Sequence, residues 1–358
     1  MSRFFSKKYK NLVPYTPGEQ PKDTKYIKLN TNESPFPPSE KAILGAMEEA
    51  QQLQLYPDPE CRRLTEKVAE LCGVKYENVL MTNGSDEILN FAFMAFCDEE
   101  HPAAFPDISY GFYSVFAELN NIPYTEIPLK EDFTIDINDY KGINKTIFIA
   151  NPNAPTGITL TLEQIEEILI SNPDNVVVID EAYVDFGAES CIPLIEKYDN
   201  LLVCQTFSKS RSMAGARLGF GVGSAQIIAD LNTVKYSTNP YNINRMTMAA
   251  GIGVINDEAY TRANCLEIAR NREYTTEKLR NLGFVTTDSK SNFIFAKHPK
   301  VSGATIYQSL KSKGILVRHF SKERISDYVR ITVGTSEQMT ALLFALKKIL
   351  EENNDKSI

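Results

Sequence analysis

Val176-Val177-Val178-Ile179-Asp180 is the stretch that restricts this chain most. It is apolar without the polar alternation of a half-exposed strand, so both of its faces must be covered, and it ends on a carboxylate. Short apolar runs recur at Asn78–Thr82, Thr146–Ala150, Leu201–Phe207 and Leu218–Val222, each followed by a turn and usually by a helical stretch. Such strands alternating with helices predict an α/β fold around a large, mostly parallel sheet. Ligands of open α/β sheets bind outside the carboxyl ends of the strands. The residues just after each run are therefore where chemistry is to be sought.

The two ends of the chain have a different texture. Residues 1–35 are rich in Lys, Pro and Asn and predict an extended arm with little helix. A helical pattern begins near residue 39. After about residue 260 a long charged helix, about Ala259–Leu282, leads to three weaker strands near Phe293–Ala296, Ile315–Arg318 and Val329–Val333. A last helix, about Ser336–Glu352, carries Glu337 in its first turn, where the helix dipole favours it. The expected organisation is a large α/β domain over 36–258 and a smaller α+β domain over 259–358, with the arm at 1–35 joining the smaller one.

Composition narrows the function classes. With 358 residues, 43% hydrophobic and 23% charged, the chain has the balance of a soluble globular protein large enough to need no disulfide or metal staple. A net charge of -8 argues against a nucleic-acid footprint. The cysteines at 61, 72, 97, 191, 204 and 265 include no C-x-x-C pair, and His101, His298 and His319 form no metal-ligand spacing with them. Buried reduced thiols and no metal are expected. The basic N-terminus lacks the apolar core of a secretory signal, and no apolar run approaches the ~20 residues that cross a bilayer. A cytoplasmic location is expected.

Four polar signals stand at the strand ends. Thr82-Asn83-Gly84-Ser85-Asp86-Glu87 opens an apolar helix; Gly84 permits close approach of a ligand, and Ser85 is placed to cap a helix whose free N–H groups suit a phosphate. Asn151-Pro152-Asn153-Ala154-Pro155-Thr156-Gly157 is a rigid turn that aims its Asn side chains. Asp180-Glu181-Ala182-Tyr183 puts an acid where burial demands a partner, which a cationic ring nitrogen, an Arg or a Lys would satisfy. Thr206-Phe207-Ser208-Lys209 offers an amine that partial desolvation would make nucleophilic, and Arg217 follows within Ala214–Gly219. Each signal alone also reads as ordinary: a capped helix, a surface turn, a paired acid, a solvated lysine. Their coincidence along one sheet is what points to a site.

That set resembles the fold-type I pyridoxal-phosphate aminotransferases, and among them the histidinol-phosphate aminotransferase group. The resemblance runs nearly end to end, through Leu29–Pro35, Tyr56-Pro57-Asp58, Asn83–Glu87, Pro106–Tyr110, Asn153–Gly157, Asp180–Tyr183, Ser208-Lys209 with Arg217, Gly314–Arg318 and Val329–Gly334. It implies pyridoxal 5'-phosphate bound to Lys209 as a Schiff base, with Lys209 also shuttling the proton. Asp180 would pair with the pyridine N–H, Tyr183 and Asn153 would bond the ring's phenolic oxygen, and Tyr110 would stack on the ring. Gly84, Ser85, Ser208 and Arg217 would hold the phosphate, and Tyr56 would reach the phosphate of a neighbouring subunit in a homodimer. Arg330 would take a substrate carboxylate and Arg318 the substrate phosphate, with Asn32 closing over the site. The substrates implied are histidinol phosphate and glutamate or 2-oxoglutarate. The chain departs from the pattern at Ala154, where many relatives have Asn.

Threonine-phosphate decarboxylases and aromatic aminotransferases share these motifs and are the competing readings. The stretch Pro240–Asn244 and the segment Val329–Thr335 look more like the histidinol-phosphate group. An aminotransferase-like regulator is not expected, because only some 35 residues precede the helical region, too few for a winged-helix domain.

Overall fold

Val177–Asp180 becomes the middle strand of the larger sheet, fully buried along its length. The computed structural model describes residues 2–10, 12–21 and 25–355; positions 1, 11 and 22–24 of the predicted arm lie outside the described residues. The chain runs through β1 (Ile27–Leu29), α1 (Glu40–Ala50), α2 (Arg62–Cys72), β2 (Val79–Thr82), α3 (Ser85–Phe96), β3 (Ala103–Pro106), α4 (Phe112–Asn120) and β4 (Tyr124–Ile127). Next come β5 (Thr146–Ala150), α5 (Leu162–Ser171), β6 (Val177–Asp180), β7 (Leu201–Thr206), β8 (Gly219–Gly223), α6 (Ala225–Thr238) and α7 (Arg245–Ile255). The C-terminal part holds α8 (Glu258–Asn281), β9 (Val285–Thr286), β10 (Phe293–Lys297), α9 (Gly303–Ser312), β11 (Ile315–His319), β12 (Tyr328–Thr332) and α10 (Ser336–Asp355).

The larger sheet has the order β2-β8-β7-β6-β5-β3-β4. Its non-alternating runs are explained by what covers it. Val177 and Ile179 face one apolar cluster with Leu64 and Val68 of α2, Ile165 and Ile168 of α5 and Val254 of α7. Val178 faces the other, with Ile88 and Phe93 of α3, Phe116 of α4 and Leu231 of α6. Each fully buried aliphatic side chain contributes about 1.5–3 kcal/mol relative to an exposed one, so a polar residue on either face of β6 would be costly. β3 to β7 pair in parallel, as the runs predict, while β8 runs antiparallel between β2 and β7. That reversal matters: it brings the start of β8 to the same edge as the ends of β2, β5, β6 and β7. Thr82 and Thr206 both lie opposite Gly219.

The smaller sheet has the order β1-β11-β12-β10-β9 and packs on α8, α9 and α10 through Ile268, Ile306, Leu310, Leu342 and Leu346. β1 of the N-terminal segment pairs parallel with β11, with Ile27 opposite Ile315. The extended arm thus supplies a strand the sequence pattern did not mark. β3, β4 and β9 were also unmarked. Among the described residues, no helix is long and apolar enough to cross a membrane, and no group of His, Cys, Asp and Glu could hold a metal ion.

Candidate active site

The turn from β2 into α3 builds an anion seat. Gly84, with φ of +77°, occupies the cap position, and Ser85 is the first helical residue; Ser85 is thus not the cap that its type suggests. A side chain at Gly219 would sit 2.5 Å from the Gly84 carbonyl carbon, so only glycine there lets β8 approach the turn. A Cβ on Gly84 would lie 2.5 Å from Nη2 of Arg217. Arg217 reaches across from the start of β8. Its Nη2 is 3.1 Å from Asp86 Oδ2, and its Nη1 donates to Ser208 Oγ at 3.5 Å. The other Asp86 oxygen accepts from the Tyr110 hydroxyl at 2.6 Å. The free N–H groups of α3, Ser208 and Arg217 therefore converge on one spot.

Beside this seat lies a cavity of about 250 Å³ lined by Tyr110, Asp180, Tyr183, Ser208, Lys209 and Arg217, among others. Asp180 ends β6 with only 5% of its surface exposed. Its Oδ1 accepts from the Ala182 N–H at 3.1 Å and its Oδ2 from the Tyr113 hydroxyl at 3.2 Å. Among the described residues no Lys or Arg pairs with it. Burial pushes its carboxyl up to about 7, helped by the Asp86 and Glu181 carboxylates and opposed by the two hydrogen bonds. Glu181, next in sequence, is satisfied differently, by Ser190, the Cys191 N–H and Gln205. Lys209 is half-buried; its Nζ donates to the Thr31 carbonyl at 3.4 Å and lies 5.8 Å from the Tyr183 ring centroid.

A second cavity of about 600 Å³ adjoins the first and shares Tyr110, Tyr183 and Lys209 with it. Arg318 and Arg330 line it from the smaller sheet. The two arginines are direct cross-strand partners on β11 and β12, an arrangement that is unfavourable for like charges unless an anion lies between or before them. The Arg330 side chain is half-buried with its guanidinium over the rings of Phe293 and Phe320, and desolvation lowers its proton affinity. Its Nη2 donates to the Asn30 carbonyl at 3.3 Å, its Nε has no partner, and no carboxylate is paired with it among the described residues. Arg318 donates to the Pro17 and Thr16 carbonyls at 3.4 Å each.

A family profile described as aminotransferase class I and II matches residues 24–346. This chain belongs to that family. Its relatives include a histidinol-phosphate aminotransferase of Brachyspira hyodysenteriae, 52% identical over 98% of this chain and 100% of the relative. Another, from Acinetobacter baylyi, is 48% identical over 96% of this chain and 97% of the relative. A crystal structure of histidinol-phosphate aminotransferase from Sinorhizobium meliloti in complex with pyridoxal-5'-phosphate superposes with a TM-score of 0.84, at 22% identity and 92% coverage of both chains.

The residues of this aminotransferase fit that cofactor. Buried Asp180, with no Lys or Arg paired to it among the described residues, suits a protonated ring nitrogen, and the Gly84 cradle, which a side chain would fill, suits a phosphate. Eleven of the predicted positions meet around the two cavities: Gly84, Ser85, Tyr110, Asp180, Tyr183, Ser208, Lys209, Arg217, Asn32, Arg318 and Arg330. Two do not. Asn153 spends its amide on the Ile108 carbonyl and Thr156 and its oxygen on Ser109, while Ala154 lines both cavities in its place. Tyr56 is 79% exposed, stacked on Tyr241 outside this chain's own site.

Three residues without a predicted role also stand in the site. Tyr113 donates to Asp180, Asp86 holds both Arg217 and Tyr110, and Tyr15 lines the second cavity with its ring stacked on Phe112. Asp86 lies in the motif Gly84–Glu87, which was the available signal; Tyr113 and Tyr15 carry none in their own neighbourhoods.

Proposed function

We propose that this aminotransferase transfers the amino group of L-histidinol phosphate to 2-oxoglutarate, using pyridoxal phosphate on Lys209. The observation that carries the reading is the facing pair Arg318 and Arg330, which line the cavity shared with Lys209 and form no ion pair with a carboxylate among the described residues. Substrates of this reaction bring a phosphate or carboxylates to that pair, and planar guanidinium forks suit both. The names of the full-length relatives support the same substrate.

When bound, pyridoxal phosphate supplies an electron sink that lets a proton leave the substrate carbon. The chain's residues do the rest. Lys209 would hold the cofactor through Nζ, and the same amine would take the proton from the substrate carbon and deliver it to the cofactor carbon. Asp180 keeps a proton on the ring nitrogen by offering a buried carboxylate to it. Tyr183 directs its hydroxyl at the phenolic oxygen; with Ala154 facing the cavity, Asn153 has no part in that contact. Tyr110 flanks the ring, and the α3 N-terminus, Ser85, Ser208 and Arg217 hold the phosphate. Arg330 orients the carboxylate of glutamate or 2-oxoglutarate, and Arg318 the phosphate of histidinol phosphate.

The same reading takes residues 36–258 as the cofactor domain, 259–358 with the arm at 1–35 as the smaller domain, and a cytoplasmic homodimer as the working form. The exposed apolar side chains Ile43, Leu44, Met47, Leu53 and Leu55 near Tyr56 support a second copy of the chain as the partner.

The test offers purified protein three amines. L-Histidinol phosphate with 2-oxoglutarate should yield glutamate; carbon dioxide from O-phosphothreonine, or preferential use of phenylalanine, would overturn the substrate assignment.

A further inference from the structure

Asn32, which the resemblance sets closing over the site, lines the second cavity and is held there by its own hydrogen bonds. It is 1% exposed, at φ of +56°, a left-handed conformation that Asn tolerates better than most residues. Four hydrogen bonds hold it there. Its backbone N–H donates to Thr332 Oγ1 at 2.9 Å, and its carbonyl accepts from Asn292 Nδ2 at 2.9 Å. Its side-chain Oδ1 accepts from the Thr332 hydroxyl at 3.1 Å, and its Nδ2 donates to the Tyr183 Oη at 3.0 Å.

We propose that Asn32 is a positioning residue that sets the direction in which the Tyr183 hydroxyl donates. A phenol has one hydrogen to give and lone pairs to receive. Because Asn32 is the donor in their shared bond, the Tyr183 hydrogen is not consumed there and is left for the cavity that contains Lys209. Thr332 makes the arrangement directional: its hydroxyl engages Oδ1 and so turns the NH₂ end of the amide toward Tyr183. Together these bonds join three distant parts of the chain, since Asn32 precedes α1, Tyr183 follows β6 and Thr332 ends β12. The proposal rests on the cofactor reading above, because the acceptor it gives to Tyr183 is the cofactor's phenolic oxygen.

The test is a spectrophotometric pH titration of the bound cofactor, together with thermal unfolding. A hydrogen bond donated to the phenolic oxygen stabilises negative charge on it and loosens the proton held beside it, so losing that bond moves the titration midpoint up. Tyr183→Phe should raise the midpoint by on the order of one pH unit. Asn32→Asp has nearly the same shape but can only accept, so it draws the Tyr183 hydrogen away from the cavity and should raise the midpoint similarly. Asn32→Gly suits the positive φ and removes the donor without adding charge; it should raise the midpoint less, and lower kcat about tenfold with KM within about threefold.

The deciding arm repeats both Asn32 substitutions in the Tyr183→Phe background. If Asn32 acts through the Tyr183 hydroxyl, neither then moves the midpoint by more than about 0.3 units, the size at which independent effects cease to be separable. A shift that persists there would mean Asn32 acts by charge or general packing, and the proposal fails. It fails equally if both single variants, folded by their thermal transitions, titrate as wild type. The parent reading fails in a distinguishable way: the absorbance of bound pyridoxal phosphate would be unchanged by Lys209→Ala.

Discussion

Asp180→Asn should stabilise the cofactor-free protein at alkaline pH while destroying its use as an enzyme. In the cofactor-free protein burial raises the Asp180 carboxyl from its ordinary 3.8 to about 7. The folded state therefore holds this proton more tightly than the unfolded state. Stability contributed by the protonated form is fully present below about pH 4 and is lost progressively as pH rises to about 7. The difference of about three pH units, at about 1.4 kcal/mol each, sets an upper limit of about 4 kcal/mol. Asparagine cannot ionise and escapes that loss. Urea unfolding of cofactor-free wild type and variant at pH 5 and pH 8 measures most of it: about two of the three pH units lie in that window, so the variant should gain about 2–3 kcal/mol on wild type between the two values. Added pyridoxal phosphate should stabilise wild type more than the variant at pH 8, because a cationic ring nitrogen meets a carboxylate only in wild type. A gap between the two proteins that stays within about 0.5 kcal/mol from pH 5 to pH 8 would refute the reasoning, since Asp180 would then have an ordinary carboxyl or a hidden cation.

Lys209→Ala should lower kcat by three or more powers of ten, measured as glutamate formed, because nucleophile and proton carrier are lost together. Arg318→Leu should weaken use of histidinol phosphate by on the order of 3 kcal/mol, while Arg330→Leu should harm glutamate more; kcat/KM for each substrate tells whether the two roles are exchanged. Mixing Lys209→Ala with Tyr56→Ala protein under subunit exchange should restore about a quarter of wild-type activity, because a hybrid dimer has one site with both lesions and one with neither. No recovery would mean that Tyr56 serves no partner site.

The large sheet was legible because its strands are buried on both faces and so announce themselves as unbroken apolar runs. Strands without that property were not. β4 exposes Tyr124, Thr125 and Glu126 at the sheet edge, β3 is four residues closed by Pro106, and β9 has two residues. At the site, residues set just after a strand could be read in place, as with Asp180 and Lys209. Partners brought in by tertiary packing could not. Tyr113 reaches Asp180 from inside an apolar helix face, and Asp86 meets Arg217 only because β8 reverses direction. The choice between Asn153 and Ala154 fell to backbone geometry: adjacent residues of one turn point opposite ways, and the residue type that looked chemical is the one spent on Ile108, Thr156 and Ser109.

The strand order also dictates when the catalytic apparatus can exist during synthesis. β2 touches the larger sheet only through β8, with Val79 opposite Val222, so a chain growing from its N-terminus makes the anion seat long before it can be docked. β1 must wait longer, until Ile315 has been made, and Asn32 longer still, until Thr332 has. Domains generally complete themselves as units during translation, but here the first residues made are among the last to find their places. A nascent or truncated chain that stops short of β12 has its lysine and its carboxylate strand, yet lacks the facing arrangement of the two arginines and the Thr332 hydroxyl that orients the Asn32 amide. The complete site therefore forms only once β11 and β12 have been made.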